Sequence, residues 1–294
     1  MMKVLPWMYN LEIIEKTHPK LRYDGTEDFK AWQMKARTKL FELLGMQNLK
    51  KSINNNFKIE YVKEEEAYTE YRFTLESEPG YTFPSVMRVP KGVSGKIPVI
   101  LCLQGHSKGM HISLGQPIYE GDQETISGGD RDFVVRALKE GYAAIEQRNF
   151  GECGGTPKGP DCHVSSMSAI INGRTTIGER ALDTSTVIDA IIEHFDFLDI
   201  DNIALMGNSG GGTATYYTAC LDERIKLAVP SCAVCTYKHS IAAMKHCVCN
   251  FVPNITNYFD MGDLAGMIAP RKLVVVNGKE DNIFPEPGVI ESFE

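Results

Sequence analysis

Apolar runs and helical segments alternate along most of this chain, and this alternation is what most restricts its fold. Buried strands are predicted for KIPVILCLQG, YAAIEQRNFG, DNIALMG, RIKLAVPSC and RKLVVVNG. Helices are predicted between them for RDFVVRALKEG, ERALDTSTVIDAIIEHF and TATYYTACL, the first of them ending at Gly141. Because strands joined through helices pair in parallel, the sequence predicts a mostly parallel, doubly wound sheet with helices on both faces.

The first part of the chain has a different pattern. YTEYRFTLES and YTFPSVMRVP, separated by EPG, predict a β-hairpin. Residues 26–46 predict a helix that begins at Thr26 or Asp28. Its apolar face is predicted to contain Phe29, Trp32, Ala36, Leu40, Leu43 and Leu44. We therefore expect an N-terminal helical extension over 1–58 and a main domain over 59–294, with a lid-like insertion at about 232–268.

Composition limits the partners that such a chain can have. With 294 residues, 43% of them hydrophobic and 23% charged, the chain can bury a large core. Its net charge of −7 and the lack of a Lys/Arg cluster argue against nucleic acid or a membrane as a partner, and favour a small-molecule substrate. No segment resembles a signal peptide or approaches the roughly 18 apolar residues of a membrane helix. We expect a cytoplasmic protein whose eight cysteines are reduced thiols.

The stretch LMGNSGGGT places one serine among four glycines, directly between a predicted strand and a predicted helix. Gly207-Asn208-Ser209-Gly210-Gly211 fits the G-x-S-x-G pattern in the strand-turn-helix setting that this pattern requires. Here the glycines at 207 and 211 would remove Cβ atoms where strand and helix approach each other, and Ser209 would be the nucleophile. The alternative interpretation is an ordinary flexible, glycine-rich loop.

LCLQGHSKG, at the end of an earlier predicted strand, is the expected source of an oxyanion hole. A serine that attacks an ester needs two main-chain N–H groups directed at the developing oxyanion. Gly210 would supply one of them, and His106 or the adjacent Ser107 would supply the other. The alternative role for His106 is that of the general base.

VVVNGKEDNIFP, late in the chain, is the expected source of the catalytic acid. Asp281 follows the last predicted strand, where a carboxylate can orient a histidine and stabilise its cationic form. Glu280 is the adjacent competitor, and a solvated loop carboxylate is the alternative for both.

These motifs together resemble the α/β-hydrolase superfamily, in particular its acetyl-xylan-esterase-like and dienelactone-hydrolase-related branch. The resemblance covers residues 60–294 and is carried by GNSGGGT, LQGH, EQRNFGE and GKEDNIFP. It implies the α/β-hydrolase fold, Ser209 as nucleophile, Asp281 as acid, and the main chain near His106 with Gly210 as oxyanion hole. Asn149 stands where such proteins usually have glycine, and Arg148 beside it is expected to be structural.

The expected catalytic histidine is missing. In this superfamily the histidine follows the acid in the chain, but no histidine follows Asp281 here. The chain continues for only 13 residues after Asp281. The expectation is a truncated chain that lacks its last strand and helix, and the alternatives are a substitute histidine or an inactive relative. The histidines that could substitute are His106, His111, His163, His239 and His246. The strand edge left without a neighbour would favour aggregation or pairing with a partner, so a homo-oligomer is also considered.

SCAVCTYKHSIAAMKHCVCN offers residue types that bind zinc. The candidate ligands are Cys232, Cys235, His246, Cys247 and Cys249. Plain packing thiols are the favoured interpretation, and no metal is assigned. The segment is expected to form a lid closed by NYFDMGDLAGM, in which Tyr258, Phe259 and Met261 would line a substrate pocket, unless they pack in the core.

These observations predict a serine carboxylic-ester hydrolase that works through an acyl-enzyme and needs no cofactor. Small acylated carbohydrates are the preferred substrates by resemblance. The alternatives are a non-catalytic binding protein on the same scaffold, or a peptidase or C–C hydrolase of the same superfamily.

Overall fold

Strands from the whole length of the chain combine into one mixed sheet. The computed structural model describes residues 5–147 and 162–294, and within them eight strands pair in the order β1-β2-β3-β5-β4-β6-β7-β8. The strands are β1 Lys58–Glu64, β2 Tyr68–Glu78, β3 Tyr81–Pro90, β4 Ile97–Leu103, β5 Ala143–Gln147, β6 Leu198–Asn208, β7 Ile225–Ser231 and β8 Lys272–Leu273. The first three strands are antiparallel, β3 pairs antiparallel with β5, and the pairs from β5 to β8 are parallel.

Helices lie between the strands, as the alternating pattern predicts. Within the described residues the α-helices are α1 Pro6–Lys16, α2 Phe29–Leu43, α3 Asp122–Ser127, α4 Phe133–Lys139, α5 Cys162–Ile171, α6 Thr176–His194, α7 Gly210–Leu221, α8 Met261–Ile268 and α9 Glu286–Glu291. The predicted hairpin is confirmed as β2 and β3, with Pro79-Gly80 at its turn. Gly141 follows the end of α4 with φ +84°, as expected of a glycine that terminates a helix. None of the described helices is both long and apolar enough to cross a bilayer.

The predicted N-terminal helix is confirmed as α2, and Asp28 begins it by accepting a hydrogen bond from Ala31 N. Four of its predicted apolar residues are at most 1% exposed: Trp32, Ala36, Leu40 and Leu44. The Trp32 indole donates to Leu21 O at 2.9 Å. These four side chains belong to the same hydrophobic core as the sheet, so α2 is held by burial against the main fold.

The strand expected over RKLVVVNG is much shorter than its apolar run. Regular pairing covers only Lys272 and Leu273, and a single bridge joins Val276 to Ser231 of β7. Val274 and Val276 are 50% and 45% exposed. Alternate side chains of this segment therefore face solvent, as on a one-sided strand, so the apolar run is not that of a strand buried on both faces.

Two carboxyl groups are buried close to the centre of the fold. Burial raises the pKa of Glu146 at the end of β5 to about 8, although the charge of Arg180 opposes this rise. Burial likewise raises the pKa of Asp183 on α6 to about 7, against the hydrogen bond that Ser77 donates to it. Both groups hold their protons in the folded chain at pH values where an exposed carboxyl is ionised.

We expect stability to fall as the pH rises from about 5 to about 8, because the unfolded chain has already released these protons while the folded chain keeps them. Asp183→Asn removes one of the two titrating groups, so its melting temperature should fall less steeply over the same range. Each kcal/mol of difference corresponds to roughly 2–4 °C. Thermal melts of both proteins across this range check the prediction, and parallel curves would contradict it.

Candidate active site

Ser209 lies at the junction between β6 and α7, on a backbone conformation that few non-glycine residues adopt. Its φ and ψ are 54° and −122°. Two main-chain hydrogen bonds fix it, one from Ser209 N to Ser231 O at 2.8 Å and one from Thr213 N to Ser209 O at 2.8 Å. The residue is half-buried at the N-terminus of a 12-residue helix, where the partial positive charge of the helix dipole favours a developing anion. The expected strand-turn-helix setting is confirmed.

The glycines on both sides of Ser209 allow the turn by lacking side chains. A Cβ atom on Gly207 would lie 2.4 Å from the carbonyl atoms of Gly211, and one on Gly211 would lie 2.0 Å from Leu103 O. Both distances are far below van der Waals contact, so the expected steric role of these glycines is confirmed. The alternative of a flexible loop is wrong, because the glycines are buried in close contact with β4.

The loop after β4 packs directly against this turn. A Cβ atom on Gly105 would lie 2.7 Å from Asn208 O and 3.0 Å from Ser209 Cβ. The His106 ring approaches the other side, with Nδ1 and Cε1 3.8 Å from where a Cβ of Gly210 would be. The loop that carries His106 and Ser107 therefore lies beside Gly210, and the oxyanion hole itself stays a prediction.

A cavity of about 480 Å³ opens beside His106 and Ser107. Its other lining residues are Lys108, Ile112, Glu124, Thr125, Gly128, Gly129 and Arg131. Charged and hydroxyl side chains predominate over apolar ones in this lining. The cavity therefore suits a polar, hydroxylated molecule better than a long hydrocarbon chain.

Arg180 connects the turn at Ser209 with the loop after β4. Its guanidinium donates from Nη1 to Gly210 O at 2.8 Å and from Nη2 to Gln104 O at 3.1 Å, and the residue is only 7% exposed. Arg180 was not among the site residues predicted from the sequence. The available signal was an arginine among the apolar residues of α6, three positions before another buried ionisable residue, Asp183.

Asp281 lies in the turn that follows the β8 segment, where the acid was expected. Its Oδ1 accepts hydrogen bonds from Ile283 N at 2.7 Å and Phe284 N at 3.0 Å, which fix the carboxylate. Asp281 is half-buried, whereas Glu280 is exposed. Of the two candidates, Asp281 is therefore the one held in a fixed position.

His246 lies in the segment between β7 and α8, and the charge of Asp281 acts on its ring. Its ring contacts Phe284 edge to face at 5.3 Å, and Nδ1 lies 3.2 Å from Asn250 Nδ2. Its Nε2 is buried without a hydrogen-bond partner among the described residues. Burial lowers the pKa of His246, while the charge of Asp281 acts in the opposite direction. The ring is therefore held largely neutral at neutral pH, the form that can accept a proton.

The other candidate histidines have different surroundings. His111 is buried and pairs with Asp122 at 2.9 Å, while His239 Nδ1 pairs with Thr236 at 2.7 Å. His163 is exposed near the start of α5. Within the described parts of the chain, Ser209 Oγ has no hydrogen bond from or to a histidine. Arg148 and Asn149, expected to shape the site, lie outside the described residues.

The structure does not place Phe259 and Met261 at a substrate pocket. Both are fully buried in the main core, and Tyr258 beside them packs partly buried against that core under Lys20 and Lys39. For Phe259 and Met261 the structure thus agrees with the alternative of core packing, and the expected role of Tyr258 stays a prediction. NYFDMGDLAGM covers the residues before α8 and most of α8, which packs against α7, and the expected lid stays a prediction.

The five residues considered as zinc ligands are not brought together. Cys232 and Cys235 pack in a small apolar cluster with Phe284 and Val289. Cys249 instead lies beside His106, with its Sγ 3.8 Å from His106 Nε2. A zinc site built from all five is therefore excluded by the geometry.

Comparison with known proteins gives matches that agree with this geometry. No protein-family model matches the chain. A Bacillus subtilis (strain 168) protein named "Putative hydrolase YtaP" is 25% identical over 215 residues, which are 70% of this chain and 68% of that protein. A solved structure described as a "putative acetyl xylan esterase" from Bacteroides fragilis superposes with a TM-score of 0.80 at 16% identity, covering 99% of this chain and 79% of that one. A glucuronoyl esterase from Solibacter usitatus gives 0.66 at 16% identity, over 95% and 84%.

These likenesses, together with the strand order, establish the α/β-hydrolase fold for this chain. The resemblance expected from the motifs is thus confirmed at the level of the fold, and the structures that share it include carbohydrate esterases.

Proposed function

We propose that this protein is a serine carboxylic-ester hydrolase that removes small acyl or ester groups from carbohydrates. The observation that carries the proposal is the strained backbone of Ser209, fixed at the start of α7 with the loop after β4 packed against it. Strain of this kind persists only where the surrounding structure enforces it, and it is typical of functional sites.

The mechanism that we propose is acyl transfer. Ser209 Oγ attacks the ester carbonyl as its proton passes to a histidine, and the main-chain N–H groups of Gly210 and of His106 or Ser107 stabilise the oxyanion. Collapse of the tetrahedral intermediate expels the alcohol, which takes up that proton. Water then attacks the acyl-enzyme and releases the acid. Arg180 supports this site by bonding the carbonyls of Gly210 and Gln104.

The substrate class is inferred from two observations. The structures that share the fold include one described as a "putative acetyl xylan esterase" and one described as a glucuronoyl esterase, names that refer to esters of carbohydrates. The cavity next to His106 carries Lys108, Glu124 and Arg131, side chains that can hydrogen-bond hydroxyl groups of a sugar. We therefore place the carbohydrate in this cavity and the small acyl group near Ser209.

Fluorophosphonate labelling tests the proposal. An activated serine should form a covalent adduct at Ser209, identified by mass spectrometry of the peptide that contains it. Hydrolysis of p-nitrophenyl acetate and of acetylated xylo-oligosaccharides should be measured on the same preparation. A protein that binds these esters but neither reacts with the probe nor releases acid would be the non-catalytic alternative. Cleavage of peptides in preference to esters would favour a peptidase.

Asp281→Asn is expected to lower kcat on the order of 10²- to 10⁴-fold with little change in KM. The amide keeps the shape of the turn but can no longer stabilise the cationic histidine that forms in the transition state. Steady-state kinetics with p-nitrophenyl acetate measure the loss. Glu280→Gln changes the exposed neighbouring carboxylate and should leave kcat within about twofold. If the two variants behaved alike, Asp281 would not be the acid.

We assign the base of this mechanism to His246, because the charge of Asp281 acts on its ring and its Nε2 lacks a hydrogen-bond partner among the described residues. His246→Ala should therefore lower kcat on the order of 10²- to 10⁴-fold. His239→Ala, on the same segment but paired with Thr236, serves as the control and should retain activity. An active His246→Ala protein would show that the proton acceptor lies elsewhere.

A further inference from the structure

Three cysteines and one histidine meet at the edge of the candidate active site, although they come from three separate parts of the chain. One ligand atom from each of His106, Cys162 and Cys247 lies within 4.8 Å of the other two. Cys249 joins them, with its Sγ 3.8 Å from His106 Nε2 and its thiol in contact with the thiols of Cys162 and Cys247.

The geometry points to a structural zinc site formed by the thiolates of Cys162, Cys247 and Cys249 and by Nε2 of His106. Three sulfurs and one imidazole nitrogen are a ligand set that zinc adopts in closed, four-coordinate sites. Tetrahedral bonds of about 2.3 Å to sulfur place the ligand atoms about 3.8 Å apart, so small side-chain rotations from the observed cluster would suffice.

The backbone at this cluster can hold its ligands in place. His106 follows β4, Cys162 is the first residue of α5, and the 3-10 helix Val248–Asn250 lies between Cys247 and the following loop while packing against α5, α6 and α7. Cys249 is 4% exposed, whereas Cys247 is exposed and leaves a path by which an ion can enter. The site is thus anchored on its inner side and accessible on its outer side.

The local charge also favours a zinc-thiolate group. Zn²⁺ with three thiolates and one neutral imidazole carries a net charge of −1, and the three thiol protons are released to solvent when the ion binds. The guanidinium of Arg180 is buried close to this cluster, since its Nη1 lies 3.5 Å and the His106 ring 3.8 Å from where a Cβ of Gly210 would be. A fixed cation next to the site would therefore stabilise the bound complex.

Such a site would explain why His106 lies where it does. With Nε2 bound to the ion, His106 could not serve as general base, and the main chain of the loop after β4 would be fixed beside Gly210. The ion would join that loop, α5 and the segment after β7 at one point. This inference concerns metal content and does not depend on the proposed esterase activity.

Metal analysis of the whole chain, purified without an affinity tag and without chelator, tests the inference. We expect about one zinc per chain, and less than about 0.2 in Cys247→Ser and in Cys249→Ser, because each lost thiolate removes one of four ligands. Cys232→Ser is the matched control, since Cys232 lies in the separate cluster with Cys235, and it should keep its zinc. Loss of zinc from the control but not from the other two variants would overturn the assignment.

A second measurement uses the unaltered protein, so it does not depend on whether the variants fold. Cys247 is exposed, so iodoacetamide should modify it quickly in the zinc-free protein and slowly in the zinc-bound protein. Treatment with a chelator should restore the fast reaction. Rapid modification before chelation, in a protein that takes up no zinc on addition of the ion, would refute the site. So would a native disulfide among Cys162, Cys247 and Cys249 in a non-reducing peptide map.

Discussion

Replacement of Ser209 by alanine is expected to lower kcat on the order of 10⁴- to 10⁶-fold. The variant retains the proposed oxyanion hole and the cavity beside His106 but has no oxygen that could form the proposed acyl-enzyme. Binding should therefore survive, and KM for any residual turnover should change little. Labelling by a fluorophosphonate should disappear completely, because the probe reacts only at the hydroxyl.

Ser127→Ala, at an exposed serine on α3, provides the comparison for this loss. Its kinetics and labelling should equal those of the unaltered protein, and both variants should melt at similar temperatures. Turnover that persists in Ser209→Ala at more than about a hundredth of the original rate would mean that the ester is cleaved by another group. In that case the strained turn would have only a structural role.

Gly211→Ala is expected to destabilise the protein by at least about 3 kcal/mol, or to prevent folding. The added Cβ would lie 2.0 Å from Leu103 O and 2.7 Å from the carbonyl carbon of Gln104, both of them main-chain atoms. Neither can rotate away as a side chain could, so either β4 or α7 must move. A soluble variant should melt about 6 °C or more below the unaltered protein, measured by scanning calorimetry.

Gly278→Ala is the control for the effect of an added methyl group, because its Cβ would meet nothing closer than 3.7 Å. This variant should fold and melt within a few degrees of the unaltered protein. An equally stable Gly211→Ala protein would show that β4 and the turn are not in close contact. The interpretation of Ser209 as a residue held by its surroundings would then fail.

The sheet and its helices could be predicted because burial leaves a periodic signal in the sequence. DNIALMG and RIKLAVPSC are apolar runs followed or preceded by helical patterns, and both form interior strands of the sheet, β6 and β7. The turn at Ser209 could also be predicted, because its backbones approach so closely that a Cβ at position 207 or 211 would clash, and glycine therefore appears at both positions. In these cases neighbours in the sequence are neighbours in space.

Features made by contacts between distant segments could not be predicted in this way. Spacing alone grouped Cys232 with Cys235, as in many zinc sites, but Cys232 follows directly on β7 and its side chain packs with Phe284. Cys162 joins His106 only because α5 and the loop after β4 meet in the fold. Phe259 and Met261 were misplaced for a related reason, because apolar and aromatic residues carry no mark that separates a pocket wall from a core.

The two hydrogen bonds of Arg180 restrict which side chains can replace it. The planar guanidinium presents two terminal nitrogens at a fixed spacing, so it can bond carbonyls of two distant segments at once and hold them at one separation. Lysine, with a single nitrogen on a flexible stem, could satisfy one carbonyl but would leave the other unmet. One side chain of α6 therefore fixes how the turn at Ser209 is aligned with the loop after β4, although it is distant from both in the sequence.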